Sequence, residues 1–343
     1  MKTQGFKLEL ITPCFCGGAE PDRQAEIRAP SIRGQLRWWF RTLGGFKSLS
    51  NESVTKQEAG IFGSIHGDQG NASRLIVRVK SEASGGLVST LVKDTDGMDA
   101  RVGTDRGYLL FPLRNNPKAV FDQPALPKFE LHILWRGDPA IWNEIQALIT
   151  VFGNLGALGF RSRRAMGVLA MSGSSMPLKD ALDCFNKSHQ LNVRALPASN
   201  ANQAIKVLAG WLKSWRSHGR TGNNTAEISM PGFKYAKQDH DMAAARAPGQ
   251  AFRPPLGLPI VSKYGDWNWN KGTKEQPKGR FASPVLLRPH RDSQGKWHAL
   301  VIFVDAHRWP EGKQVYLNGE PRDVSLDLYE AMKKDGCLSD FLT

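Results

Sequence analysis

The chain has 343 residues, enough for about two domains, and sets 46 Lys and Arg against 32 Asp and Glu for a formal net charge of +14. That surplus favours a polyanionic partner, either nucleic acid or an acidic membrane surface. No run of about 18 apolar residues occurs, which excludes a predicted membrane-spanning helix, and four cysteines without C-x-x-C or paired-histidine spacing argue against a zinc site and for reduced thiols in the cytoplasm.

Residues 5–12 alternate apolar and polar side chains and read as a strand; the N-terminus lacks the apolar block of a signal peptide. Cys14 and Cys16 follow as two small residues near the strand end. The stretch 28–45 reads as a short helix that carries two stripes. Pro30 and Ser31 start it, with Ser31 as the capping side chain, and Gly44 and Gly45 stop it. Ile32, Leu36, Trp39 and Leu43 form a core-facing stripe. Beside it run Arg33, Arg37 and Arg41, four residues apart and with no acidic residue between them. Like charges at this spacing repel, so the row is costly unless an anion lies against it. Trp38 points away from Leu36 and suits stacking on a base, packing on a partner, or burial against the rest of the chain.

A second helix is predicted over 52–62, ending at Gly63, and a strand over 74–80 with Leu75, Val77 and Val79 on one face. A Gly- and Asp-rich loop fills 81–107, and a short apolar run spans 108–113. A strand over 128–135 precedes a helix opened by Pro139, and a strand over 165–171 closes the unit. The order strand–helix–strand–strand–helix–strand is the split βαβ arrangement. A helix over 202–216 begins a second unit. It is followed by a basic loop, 217–255, that holds Arg220, Lys234, Lys237, Arg246 and Arg253 and is expected to be mobile without a ligand. Strands over 281–288 and 297–304 and a helix near 323–335 complete the chain. The predicted fold class is α+β, as two tandem ferredoxin-like (RRM-like) domains, 1–175 and 176–343, with long inserted loops.

The segment 153–167 joins Gly153, Gly156 and Gly159 to Arg161, Arg163 and Arg164. Glycines let a backbone approach a ligand, and guanidinium forks suit phosphate oxygens. It follows a helix and precedes a strand, the reverse of a dinucleotide loop, and lacks the Gly-Lys-Ser/Thr of a Walker A loop. This loop is therefore expected to share one phosphate-binding groove with Arg33, Arg37 and Arg41, and Arg28, Ser31, Arg33, Arg37, Trp38, Arg41, Gly156, Gly159, Arg161, Arg163 and Arg164 are the candidate RNA-binding residues.

Ile11-Thr12-Pro13, then Gly17-Gly18-Ala19-Glu20-Pro21, then residues 27–39 through Arg28-Ala29-Pro30-Ser31-Ile32-Arg33-Gly34-Gln35-Leu36-Arg37-Trp38-Trp39, resemble the RAMP superfamily of CRISPR proteins. Within it they resemble the "Cmr one" subunits of type III-B effector complexes, with Trp38 where that family tends to have Phe. Residues 58–64, 155–167 and 280–289 resemble further family segments; 217–255 matches none of them. The resemblance implies RAMP domains of ferredoxin-like fold and a place at one end of a ribonucleoprotein. It also implies contact with the 3′ region of a CRISPR RNA, capture of complementary single-stranded target RNA, other RAMP subunits as partners and no catalytic residue; no metal or cofactor is expected. Two alternatives stand beside it. One is a RAMP endoribonuclease that processes CRISPR RNA, with His66 as general base or Asp94, Asp96, Asp99 and Asp105 holding a metal or a scissile phosphate. The other is a scaffold whose basic surface meets only acidic protein subunits.

Overall fold

The computed structural model describes residues 1–18, 20, 23–66, 69–81, 105–113, 119–122, 126–173, 176–217, 230–245, 248–273 and 277–342. Strand β1 (Lys2–Leu10) is followed by helices α1 (Ala29–Thr42) and α2 (Val54–Phe62) and a small hairpin, β2 (Ser64–His66) and β3 (Gln69–Asn71). Then come β4 (Leu75–Ser81), α3 (Asp105–Leu110), β5 (Lys128–Trp135), α4 (Trp142–Leu155) and β6 (Leu169–Ser172). The four long strands form one antiparallel sheet in the order β4-β5-β1-β6, with α1 and α4 as the crossovers. Alternation explains the pleat: Phe129, Leu131, Ile133 and Trp135 of β5 turn inward while Lys128, Glu130 and His132 stay on the open face.

Helix α1 buries Ile32, Leu36, Trp39 and Phe40, and Gly44 and Gly45 beyond its end both take positive φ, so the stop signal is as the sequence predicts. Its start differs. The cap is the extended residue Arg28 with no side-chain bond, and Ser31 lies exposed within the first turn, its own N–H bonded to Arg28 O at 3.1 Å. Pro30 supplies no N–H and is pre-set for a first turn, so the helix begins ahead of Ser31 and leaves its hydroxyl no capping role.

The second half opens with α5 (Leu178–Asp183) and with β7 (Leu191–Pro197), a strand ahead of the helix predicted to begin this unit. Helix α6 (Ala201–Arg216), α7 (Phe233–Ala245), β8 (Gln250–Ala251), β9 (Ile260–Ser262), β10 (Gly265–Asn268), β11 (Val285–Arg291) and β12 (Trp297–Val304) follow. β13 (Val315–Leu317), β14 (Glu320–Val324), α8 (Asp327–Lys333) and β15 (Ser339–Asp340) complete it. One sheet runs β11-β12-β7-β15, again antiparallel and with the same connectivity as the first. A five-stranded sheet, β8-β14-β13-β10-β9, has no counterpart in the sequence prediction beyond the alternation of Trp267 and Trp269.

Among its described residues, the segment 217–255 that was expected to lack periodic structure holds a helix. α7 occupies 233–245, and the buried Asp239 carboxylate accepts from Phe252 N (2.8 Å), Arg253 N (2.9 Å) and Arg253 Nε (2.9 Å), which ties the helix to the segment just after β8. Arg220 and Arg246 of that loop, and Asp94, Asp96 and Asp99 of the earlier one, lie outside the described residues. Among the described residues no helix is long and apolar enough to cross a membrane.

The second sheet is buried on both faces. Leu191, Val193, Leu286, Leu300 and Ile302 join the core of α1 and α4, while Leu287, Val301 and Phe303 pack on α6 and α8. That placement brings β11 against the C-terminal end of α4 and the glycine-rich turn.

Candidate nucleic-acid interface

The arginine row of α1 does meet an acid, and it comes from α2. Glu58 Oε1 accepts from Arg37 Nε at 2.6 Å and from Arg41 Nη1 at 2.5 Å, while Arg33 Nη2 donates to Phe62 O. The expectation of a wholly unpaired row is thus corrected: the neutralising residue lies 17 to 21 positions away in sequence, out of reach of a local helix pattern. The Glu58 side chain is 9% exposed beneath arginine side chains that are 38% and 49% exposed. One carboxylate shared by two guanidiniums leaves the row cationic, and its open side faces solvent. Arg28, at the helix start, lies 3.9 Å from Glu26 and is half-exposed.

Two cavities flank this row. Arg33, Arg37, Glu58, Phe62, Ile65 and Asn71 contribute to one of about 560 Å³ between α1, α2 and the β2–β3 hairpin. The other, about 240 Å³, lies between α1, the glycine-rich turn and β11, and Trp38, Arg41, Gly156, Ser162, Arg163 and Arg288 contribute to it. The arginine row and the turn therefore share a wall through Arg41, Trp38, Gly156 and Arg163.

Trp38 has partners within its own chain. The Arg163 guanidinium lies 5.0 Å from its ring centroid, and the His307 ring stacks on it at 5.4 Å with 13° between planes. His307 in turn bonds Thr42 Oγ1 at 2.7 Å. Burial lowers the imidazole pKa, and the nearby charges of Arg163 and Arg41 lower it further. Arg163 Nη1 also donates to Ser283 O at 2.6 Å.

The other arginines of the turn point inward. Arg164 is buried, with its fork spent on Val285 O (2.8 Å) and Leu256 O (3.4 Å), and burial holds its pKa well below the usual guanidinium value. Arg161 bonds Leu109 O at 2.7 Å through Nε, and its pKa is lowered to about 10 by burial. Neither lines the cavity beside Trp38, so the expectation that all three arginines of the turn enter one groove is corrected; backbone carbonyls of α3 and β11 claim two of them. Gly159 is exposed with φ +74°, and a Cβ there would meet Phe15 O at 2.4 Å, so the position needs glycine for the path of the chain.

His307, Thr42, Glu58 and Arg288 were not singled out from sequence as parts of this site. Arg288 alone had a visible signal, a charge inside the apolar strand Val-Leu-Leu-Arg-Pro-His-Arg. The rest become neighbours through the fold.

The model of the RAMP superfamily matches residues 7–170. The CRISPR system Cmr subunit Cmr1-2 of Pyrococcus furiosus is 31% identical over 188 residues, 48% of this chain and 92% of that protein. Its Cmr1-1 is 28% identical over 191 residues, 52% of this chain and 51% of that protein. The crystal structure of Cmr1 from Pyrococcus furiosus in its apo form covers 97% of this chain and 96% of its own, with TM-score 0.58 and 17% identity, which is a likeness of fold. A relative aligned over nearly its whole length, together with a family match across the first sheet and its crossovers, means that this chain belongs to the RAMP superfamily, alongside the CRISPR-system Cmr1 subunits.

Proposed function

We propose that the chain is a non-catalytic, RNA-binding subunit of a type III-B CRISPR ribonucleoprotein. It would contact the 3′ region of the CRISPR RNA, help capture single-stranded target RNA and sit beside other RAMP subunits. The two sheets of equal connectivity support its description as tandem ferredoxin-like domains, with the boundary near 175. The single observation that carries the RNA reading is the approach of α1 to the glycine-rich turn: Trp38, Arg41, Gly156 and Arg163 line one cavity, and Arg33 and Arg37 line the next. Glu58 is the carboxylate among these arginines, and the solvent side of the row keeps donors for phosphate oxygens. Guide and target would supply sequence by base pairing, while the protein supplies shape and charge.

Titration of the purified chain with single-stranded RNA at rising salt tests this. Log affinity is expected to fall linearly with log salt, by about 0.7 per neutralised phosphate, and an Arg37→Ala, Arg41→Ala, Arg163→Ala variant should lose about 2 from that slope. An affinity indifferent to salt would overturn the proposal.

A further inference from the structure

We infer that Phe160, at the tip of the glycine-rich turn, is a base-stacking platform for single-stranded RNA, an inference that rests on the RNA-binding reading above. Among the described residues the exposed large apolar side chains are Met1, Ile65, Phe160, Val261 and Tyr264, and Phe160, 44% exposed, is the one set in an arginine-bearing turn. Isolated exposed apolar side chains are common and signify nothing alone. Two further observations separate Phe160 from that background.

The first is rigidity. Phe160 N–H donates to Phe15 O at 2.7 Å, Leu158 N–H to Gly167 O at 2.8 Å and Arg164 N–H to Arg161 O at 2.7 Å. Left-handed residues stand on both sides of it, Gly159 at φ +74° and Arg161 at φ +65°. The ring is therefore presented by a fixed backbone, and little conformational entropy remains to be lost on binding.

The second is the direction of its neighbours. Arg161 and Arg164 turn inward to carbonyls of Leu109 and Val285, and Arg163 lies over Trp38. The turn thus draws its guanidiniums in and offers an aromatic ring to solvent, the reverse of what its sequence suggests. Trp38, the stacking candidate from sequence, already carries His307 and Arg163 against its ring. Phe160 stands two residues from Ser162 and three from Arg163, which line the cavity shared with Trp38 and Arg41, so its turn suits a base whose phosphates reach that cavity, because every base has a π-face. The cationic side chains of that cavity, Arg41 and Arg163, favour RNA over an apolar protein partner.

The test uses the full chain and a fluorescently labelled oligoadenylate. Phe160→Ala is expected to weaken binding about 5- to 100-fold with an unchanged salt slope, since the ring neutralises no phosphate. Phe160→Trp should keep wild-type affinity, and Phe160→Leu, apolar but without a π-face, should lose as much as Phe160→Ala. Phe160→Ala binding as wild type overturns the inference, and so does Phe160→Leu binding as wild type, which would mark an apolar contact of the kind a protein partner uses. If the triple arginine variant loses slope while Phe160→Ala does not weaken binding, RNA binding stands and the platform falls. If all variants bind as wild type, both fall. Thermal melting of Phe160→Ala should match wild type, because the exposed side chain supports no core.

Discussion

Arg288 and His290, two residues apart on β11, lie buried where the halves of the chain meet. Arg288 is 2% exposed and donates to Gly153 O, Gly156 O and Leu169 O. The first two carbonyls belong to the C-terminal end of α4, where the helix dipole is negative and carbonyls lack intrahelical partners. The helix end thus serves as counter-charge, and although burial lowers the Arg288 pKa to about 9 the group stays a cation at neutral pH. His290 is pushed down to about 3, first by burial and then by the charges of Arg288 and His298, against a smaller opposing pull from Asp292. A histidine depressed in the folded state binds its proton more readily when unfolded, at about 6.5. Its neutral burial therefore supports the fold above that pH, and the support is lost as pH falls from about 6.5 towards 3. Denaturant titrations across that window should show stability falling with acid, and His290→Gln should flatten the fall. An unchanged slope would mean that other groups dominate acid unfolding. The charge of Arg288 inside an apolar strand was legible in sequence; its partners, more than 100 residues away, were not.

Helix termini separate local signals that work from one that does not. Asn200 caps α6 by accepting from Gln203 N at 2.9 Å, and Ser53 caps α2 by accepting from Lys56 N at 3.3 Å. Ser31 has the same chemistry but sits one turn too late, behind Pro30. Asn200→Ala should cost about 1 kcal/mol in chemical denaturation, and Ser31→Ala no more than a few tenths. Equal losses would restore Ser31 as a cap. Helix α7 shows the opposite case, an element hidden from periodicity. Its buried residues are Ala236, Asp239, Met242 and Ala243, at helical spacing. Small alanines and a carboxylate score as polar or neutral, so the stripe cannot be recognised until Asp239 is seen bonded to the backbone of 252 and 253.

The second sheet sits between two layers of helices, and this arrangement makes the halves interdependent. Strands buried on both sides read as nearly continuous apolar runs, as β12 does from Ala299 to Val304. One of its faces completes the core of α1 and α4 through Leu300, Ile302 and Val304. A fragment of residues 1–175 would expose that surface to water, at roughly 25 cal/mol per Å². Such a fragment should lack sharp near-ultraviolet circular dichroism and should aggregate, whereas the full chain should melt in one cooperative transition. A well-folded 1–175 fragment would show that the boundary near 175 separates autonomous domains.

Local chemistry and spacing determined much of this chain: the four strands of the first sheet and helices α1, α2 and α4, the glycine stop of α1, the arginine row and the resemblance to RAMP proteins. These depend on contacts within one or two turns or along one strand, which periodicity and capping residues encode directly. Folding in three dimensions decided which charges stay open. Glu58 reached Arg37 and Arg41 from another helix, backbone carbonyls of distant segments drew in Arg161, Arg164 and Arg288, and Phe160 was left facing water. The reason is that a guanidinium satisfies its donors with whatever acceptor lies within about 3 Å, and no spacing rule says which remote carbonyl or carboxylate that will be.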